Sequence, residues 1–189
     1  CDVPYCNCNL GPDGENNRLK MVKFLISQGA VIDQINAFGN TPLWCASAAG
    51  ELGAVKALIE AGALLDEAGN DLRTTPLHIA SKCGRLEVAK VLIAAGASVN
   101  QVDKDGQNPV WYASEKNNLE LLEVLVASGG LVNQMNNKGV TPLHIVSQLG
   151  HLNVAESLIT LIISDDGSID PADNNGNTPL FMASQNGHL

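Results

Sequence analysis

Two histidines and one carboxylate pair are the side chains whose types suit catalysis. His78 and His144 could each act as a general base, because imidazole titrates near neutral pH. Asp165 and Asp166 are adjacent and offer the oxygen ligands that a divalent cation prefers. Acid–base or metal chemistry needs further groups at fixed positions around such residues. The sequence around each candidate therefore decides between a catalytic and a structural role.

The surrounding sequence favours structural roles. His78 and His144 both stand in the fourth place of a repeated "TPLH" segment. Other copies of this segment carry an aromatic residue there, namely Trp44, Trp111 and Phe181. A catalytic role shared by the copies would not tolerate that replacement. The two aspartates precede Gly-Ser, which is typical of a solvated turn, and none of the common phosphate-binding, nucleophile-elbow or zinc-protease motifs occurs. We predict no catalytic residue, no cofactor and no metal site.

The cysteines divide into an N-terminal group and two isolated residues. Cys1, Cys6 and Cys8 form a C-x₄-C-x-C pattern, whereas Cys45 and Cys83 lie inside repeated segments. A zinc site needs four ligands, and the cysteines of the first eight residues supply only three. The odd cysteine total, with no N-x-[ST] sequon and no visible signal peptide, predicts reduced thiols and a cytoplasmic or nuclear protein.

Composition and charge exclude two classes of binding. No apolar run approaches the roughly 18 residues that cross a bilayer, and the candidate at residues 158–163 is far too short, so we expect no membrane insertion. The net charge is −9, and the 51 residues after Lys138 contain five acidic residues and no Lys or Arg. Nucleic-acid binding depends on neutralising phosphates with basic side chains, so we expect no nucleic-acid partner. The acidity serves either solubility or a basic partner.

Five near-copies of one short segment define the elements of the chain: "TPLWCASAAG", "TTPLHIASKCG", "NPVWYASEKNN", "TPLHIVSQLG" and "TPLFMASQNG". Their capping residues, Thr or Asn, lie 34, 33, 33 and 37 positions apart, a period that indicates stacked repeats. In each copy the Thr or Asn can cap a helix, and the following Pro suits the first helical position. A Gly or Asn then ends the helix.

A second helix and an extended turn complete each repeat. The apolar residues of "LEVAKVLIAAG" recur at helical spacing, and four related stretches follow the same pattern. The segment after this second helix contains turn-forming residues such as Asp105-Gly106. The predicted unit is therefore an inner helix, a turn, an outer helix and a projecting hairpin, which we call a finger.

These residues resemble the ankyrin-repeat family. The resemblance is carried by T-P-L-H-x-A at the inner helix, G-x-L-x-V at the outer helix and GA-x-V-N after it, and it implies an all-α ankyrin-repeat solenoid of stacked helix–turn–helix units with hairpin fingers. Gly11, Pro12 and Gly14 oppose a helix, so we expect an irregular N-terminal segment or a degenerate cap at 1–17. The predicted divisions of the array are a half repeat at 18–35, repeats at 36–69, 70–102, 103–135 and 136–172, and a partial repeat at 173–189.

Three departures from the pattern predict local differences. The finger between Asp66 and Thr75 has one extra residue, and Arg73 replaces its usual Gly, so its shape should differ. Four residues are inserted after "LITLII", so that outer helix should run longer and end near residues 165–167. The pattern stops halfway through a repeat, and we expect further protein to follow.

The resemblance implies a module that binds a protein or peptide through a concave groove and the fingertips. The second, third and fifth residues of each finger are expected to point outward. The candidate partner-binding residues are Phe38, Asn40, Leu72, Lys104, Asp105, Gln107, Lys138 and Val140. Phe38 and Leu72 are apolar on adjacent fingers, as in interaction hot spots, although single exposed apolar residues are common on any surface.

Two further expectations follow from the same resemblance. Asn100 and Asn133 are similar to finger asparagines that an asparaginyl hydroxylase modifies in ankyrin proteins; the alternative for both is an ordinary turn-forming role. The rival function is the targeting arm of a larger enzyme, such as a ubiquitin ligase, kinase or acyltransferase, whose catalytic domain or other domains lie outside this chain.

Overall fold

Helices linked by fingers make up the protein in the computed structural model, which describes residues 12–187, with side chains from residue 17 onward. No strand occurs within those residues. The chain divides into two compact units, Cys1–Ser98 and Val99–Leu189, called units 1 and 2. The predicted all-α fold is confirmed.

Unit 1 contains the first five described helices. They are α1 (Pro12–Ser27), α2 (Pro42–Ala49), α3 (Leu52–Glu60), α4 (Pro76–Lys82) and α5 (Leu86–Ala94). The inner helices α2 and α4 pack against each other, and each also packs against the outer helix that follows it. The outer helices α1, α3 and α5 form a second row in the same order. Each helix thus contacts its partner in the repeat and its neighbours in adjacent repeats.

Unit 2 repeats this arrangement. Its helices are α6 (Pro109–Glu115), α7 (Leu119–Ala127), α8 (Pro142–Leu149), α9 (Leu152–Ser164) and α10 (Pro179–Gln185). The inner helices α6, α8 and α10 pack in sequence, and the outer helices α7 and α9 pack beside each other. Helix α9 is longer than the other outer helices of the unit and ends immediately before Asp165, as the insertion predicts.

Local capping explains where the inner helices begin and end. The Thr41 hydroxyl accepts the N–H of Trp44 at 3.1 Å, and the Asn108 side chain accepts the N–H of Trp111 at 2.9 Å. These bonds satisfy amides that the first helical turn leaves without partners. At the other end, Gly50 adopts a φ of 81°, which glycine reaches without steric cost. The predicted start and stop signals are confirmed.

The two "TPLH" histidines complete these caps. The Nδ1 atoms of His78 and His144 accept the backbone N–H of Thr75 and Thr141, each at 3.1 Å. The Nε2 atom of His144 lies 3.1 Å from the carbonyl oxygen of Asn177. An imidazole that accepts at one nitrogen can donate at the other only as the neutral tautomer. The predicted structural role is confirmed within the repeat for both histidines, and between repeats for His144.

The N-terminal prediction needs a correction. Helix α1 begins at Pro12, so an irregular segment at 1–17 is wrong from that residue onward, whereas the alternative of a degenerate cap stays a prediction. Residues 1–11 lie outside the described part. Proline is tolerated in the first turn of a helix because its missing N–H has no partner there anyway. Gly14 weakens a helix by only about 1 kcal/mol, which the packing of α1 on α3 can offset.

The predicted redox state also needs a correction at one residue. Cys83 is disulfide-bonded in the structure, so the expectation of a reduced thiol is wrong there. An odd number of cysteines leaves at least one thiol outside any pair, but it does not prevent the others from pairing.

Candidate functional site

One residue at the base of each finger organises it. In the finger 103–107, Oδ1 of Asp103 accepts the N–H groups of Asp105 and Gln107, both at 2.9 Å. The backbone N–H of Asp103 in turn donates to the carbonyl of Gln107 at 3.0 Å. This Asx-type arrangement closes the turn. We call such a residue the hub of its finger; the five hubs are Asn36, Asn70, Asp103, Asn136 and Asp173.

The finger 70–74 departs from this pattern, as predicted. Arg73 adopts a φ of 54° at the place where the other fingers carry glycine. The side-chain amide of Asn70, instead of its backbone N–H, donates to the carbonyl of Thr74 at 3.0 Å. The left-handed conformation costs an ordinary residue roughly 1–2 kcal/mol, so this finger holds a strained residue.

The third residue of each finger forms an exposed row along each unit. We call this set the tip row. Phe38 and Leu72 are 50% and 53% exposed in unit 1. A Cβ atom on Gly69 would lie 3.0 Å from the carbonyl oxygen of Gly39, so the two fingers that carry them are in backbone contact. The tip row of unit 2 is polar and consists of Asp105, Lys138 and Asn175, all exposed.

The second residue of a finger can form hydrogen bonds to the neighbouring finger. Asn137 donates from Nδ2 to the carbonyl of Lys104 at 2.8 Å and from its backbone N–H to the carbonyl of Asp105 at 2.9 Å. Asn174 makes the equivalent backbone bond to Lys138 at 3.0 Å. Asn174 also donates from Nδ2 to the carbonyl of Asn137 at 3.2 Å, so the side chains of both asparagines take part in contacts between neighbouring fingers. The side chains of Lys104, Asp105 and Lys138 are exposed beside them.

The fifth residue of a finger does not project outward as expected. Thr74 is buried, and its hydroxyl accepts the indole N–H of Trp44 at 3.1 Å. Thr74 directly precedes the cap residue Thr75 and contacts the preceding inner helix α2 through Trp44. Asn40, Gln107 and Val140 are half-buried at the same place. They present less surface to a partner than the tip row does.

A buried tyrosine ties one finger to its inner helix. The hydroxyl of Tyr112 on α6 donates to Oδ2 of Asp103 at 2.6 Å, and both residues are buried. Burial, and then the hydrogen bond and the charge of Asp103, raise the pKa of Tyr112 far above its usual range. Tyr112 therefore stays protonated and donates its proton to the carboxylate throughout the physiological pH range. This contact holds the finger of Lys104 and Asp105 in place.

The last finger is fixed by an aspartate whose charge is stabilised. The side-chain amide of Asn177 donates to Oδ2 of Asp173 at 3.1 Å, and two backbone N–H groups donate to its Oδ1 at 2.8 Å. The Asn177 bond is the main reason that the pKa of Asp173 lies below its usual value. Asp173 is therefore a carboxylate at neutral pH and acts as a hydrogen-bond acceptor for its own turn.

The two candidate hydroxylation sites have different surroundings. Asn100 donates from Nδ2 to the carbonyl of Gly129 at 2.8 Å, and its Oδ1 accepts the N–H of Leu131 at 2.9 Å. Asn133 is exposed, and its side chain forms no hydrogen bond within the part of the chain that the structure describes. Asn100 accepts the loop N–H of Leu131, 31 residues further on, whereas the residue 31 positions after Asn133 is Ser164, which still belongs to the longer helix α9.

Neither a metal site nor a membrane-spanning helix occurs among the described residues. No group of three or more His, Cys, Asp and Glu side chains there is arranged to hold a metal ion; Cys1, Cys6 and Cys8 lie outside those residues. Within the same range, none of the helices combines the length and the apolar composition needed to cross a bilayer.

The helix pairs, capped starts and hub-organised fingers define a repeat protein of helix–turn–helix units. A family profile for ankyrin repeats matches the chain in three places, at residues 14–103, 95–166 and 110–189. The chain belongs to the ankyrin-repeat family. A search of curated proteins found no match.

Proposed function

We propose that this chain is a non-catalytic interaction module that binds a protein or peptide partner through its fingertips and the adjoining groove. The observation that carries the proposal is the exposed tip row, in which Phe38 and Leu72 of unit 1 are apolar on touching fingers. Large apolar side chains beside polar neighbours supply most of the binding energy in many interfaces. Proteins of this family generally act as protein–protein interaction modules.

The finger scaffold supports this role because it fixes the exposed side chains. Oδ1 of Asn36 accepts the backbone N–H of Phe38 at 2.9 Å, and the hub Asn136 does the same for Lys138 at 2.9 Å. A side chain on a rigid backbone loses less entropy when it binds. In unit 1, Phe38 and Leu72 then act as anchors. In unit 2, the charged residues Asp105 and Lys138 favour specificity and association rate.

The proposal is tested by removing the two anchors. We expect the double variant Phe38→Ser with Leu72→Ser to fold normally, because exposed substitutions usually change stability by less than about 0.5 kcal/mol. Partner binding should weaken roughly 30-fold, the equivalent of losing about 2 kcal/mol at a hot spot. Pull-down with mass spectrometry on wild type and variant identifies the partner, and calorimetry then measures the change.

The matched control changes charged residues on the outer helices. Glu87→Gln and Glu123→Gln alter exposed positions of α5 and α7, and each should leave binding within about twofold of wild type. Thermal melts verify that every variant folds. A loss of binding confined to the glutamine variants would place the partner on the outer helices and reject the fingertip surface.

A second proposal concerns modification, and it rests on the different surroundings of the two asparagines. We propose that Asn133 is hydroxylated more readily than Asn100 by an asparaginyl hydroxylase, because an enzyme must break two hydrogen bonds to extract Asn100. Incubation with the enzyme followed by peptide mass analysis should show the added oxygen on the Asn133 peptide first. Oxygen on neither peptide rejects the modification, and oxygen on Asn100 alone rejects the preference.

Localisation in the cytoplasm or nucleus is proposed with this function. Microscopy of the full chain fused to a fluorescent protein checks it directly, and accumulation in a secretory compartment would contradict it.

A further inference from the structure

Helix α1 presents core-type residues to solvent. Its stretch "LKMVKFLISQG" corresponds to "LEVAKVLIAAG" of α5, which places Leu25 at the position of the innermost leucine of the other outer helices. Those leucines are between 0% and 5% exposed in every complete repeat: Leu58, Leu92, Leu125 and Leu158. Leu25 is 48% exposed. Leucine at this position is therefore buried in four outer helices and exposed in α1.

Two neighbours extend this bare surface. Met21 is 57% exposed, whereas Val88 at the corresponding place in α5 is 2% exposed. Phe24 is also exposed. Residues three and four positions apart share one side of a helix, so Met21, Phe24 and Leu25 form one continuous patch. We call these three residues the α1 face.

An inner helix covers the corresponding surface in complete repeats. Helix α4 precedes α5 and packs against it, and α6 stands in the same relation to α7. In these repeats the inner helix begins ten residues before the outer one, at Pro76 before Leu86 and at Pro109 before Leu119. The equivalent of Leu86 in the first outer helix is Leu19, but residues 12–18 already belong to α1. The usual connection therefore cannot place an inner helix on the α1 face.

Contacts on the other side hold α1 in position. Leu19 lies against α3, where a Cβ atom on Gly53 would be 3.0 Å from its Cδ2. Arg18 forms an ion pair with Glu51 at the start of α3. The exposure of Met21, Phe24 and Leu25 shows that α3 leaves the α1 face largely uncovered. The patch is thus a preformed surface on a helix that is already docked, which lowers the entropic cost of binding.

The charge beside the patch is basic. Lys20 and Lys23 are exposed on α1, and neither has an ion-pair partner among the described residues. The corresponding positions carry Glu87 and Lys90 in α5, which pair with each other, and Glu120 and Glu123 in α7. Two unpaired lysines next to an apolar face favour an apolar ligand with acidic flanks.

We propose that the α1 face binds an amphipathic helix of a partner protein, about two turns long, which takes the place that an inner helix has in the complete repeats and that no described helix fills here. The partner helix contributes apolar residues at i, i+3, i+4 and i+7, the pattern of helix-in-groove recognition, and acidic residues that face Lys20 and Lys23. This surface is separate from the tip row, so it can serve a second partner or a second segment of the same one.

The test uses a labelled synthetic peptide and the full chain. The probe is a short helix with Leu at i, i+3, i+4 and i+7 and Glu at its other positions, and fluorescence anisotropy measures its binding. Met21→Ser with Leu25→Ser should weaken binding roughly 30-fold. Lys20→Glu with Lys23→Glu should weaken it about tenfold, and a probe with Lys in place of Glu should bind wild type less tightly than the acidic probe.

A matched control distinguishes specific binding at the α1 face from nonspecific binding to exposed apolar residues. Leu152→Ser with Ile163→Ser removes two exposed apolar residues of α9 and should leave binding unchanged, while circular dichroism confirms the fold of each variant. The proposal is overturned if wild type does not bind the probe or if the α9 variant loses binding equally. If the probe binds only after deletion of residues 1–11, the α1 face is covered by the same chain and not by a partner. If wild type is a dimer and Met21→Ser with Leu25→Ser converts it to a monomer, the α1 face binds a second copy of the chain instead.

Discussion

At the residue scale, two equivalent tryptophans differ in whether their indole N–H has a partner. Trp44 donates to the Thr74 hydroxyl at 3.1 Å. Trp111 occupies the same repeat position, but its buried Nε1 has no acceptor among the described residues. The residue that corresponds to Thr74 is Val140, which has the shape of threonine and no hydroxyl. A buried donor without an acceptor lowers stability.

We expect Val140→Thr to stabilise the protein. The new hydroxyl supplies the acceptor that Trp111 lacks, at little steric cost, and a typical buried hydrogen bond contributes about 1 kcal/mol. Urea denaturation measures the change in unfolding free energy. The same substitution in a Trp111→Phe background should give no gain. Equal effects in both backgrounds would show that the hydroxyl does not pair with the indole.

Arg73 is a second residue whose conformation carries a cost. Its φ of 54° lies in the left-handed region, where the other four fingers have glycine. Arg73→Gly should raise the unfolding free energy by about 0.5–1 kcal/mol, because relief of the strain exceeds the extra freedom that glycine gives the unfolded chain. Asn117→Gly is the comparison, and its gain should be smaller since asparagine tolerates a positive φ. Chemical denaturation of both variants decides the order.

At the element scale, the bond between Tyr112 and Asp103 couples helix α6 to its finger. Both residues are buried. Oδ2 of Asp103 accepts a hydrogen bond from the Tyr112 hydroxyl, while Oδ1 of Asp103 accepts the backbone N–H of Asp105 in the turn. Other repeats carry a non-aromatic residue at the position of Tyr112, as in Ile79 and Ile145. The coupling is therefore a property of this repeat.

We expect Tyr112→Phe to cost about 1–3 kcal/mol at neutral pH, because it leaves one oxygen of a buried carboxylate without a donor. The raised pKa of Tyr112 also gives a pH dependence. Its contribution is complete below the unfolded-state pKa of about 10 and is lost as pH rises above it, since only the unfolded chain then releases the proton. Denaturation at increasing alkaline pH should show wild type losing its advantage over the variant. A constant difference would contradict the bond.

The inner helices follow from sequence alone, whereas parts of the surface do not. Thr-Pro starts and Gly or Asn stops are local signals, so the ends of helices such as α2 and α8 can be predicted from a few residues. The burial of Thr74 depends on the reach of Trp44 from another repeat, and the role of Asn137 depends on the neighbouring finger. Such contacts join positions about one repeat apart, and finger position alone does not predict them.

At the scale of the whole molecule, acidic charge is distributed unevenly. Residues 99–189 contain ten Asp and Glu against three Lys and Arg, a net charge of −7, whereas ten against eight give −2 in residues 1–98. Glu120, Glu123 and Glu156 are exposed on the adjacent helices α7 and α9, and neither helix carries a Lys or Arg. Like charges on a compact surface repel one another and oppose folding.

Screening should therefore stabilise the protein. Raising the salt concentration from roughly 0.01 to 0.1 M shortens the screening length from about 30 to 10 Å, which weakens the repulsion among the glutamates of unit 2. We expect a stabilisation of about 1 kcal/mol, or a melting temperature higher by roughly 2–4 °C for a chain of this size. Glu123→Gln with Glu156→Gln should raise the melting temperature at low salt and reduce its salt dependence. A melting temperature that falls with salt, or a glutamine variant less stable than wild type at low salt, would show that these carboxylates form favourable interactions instead.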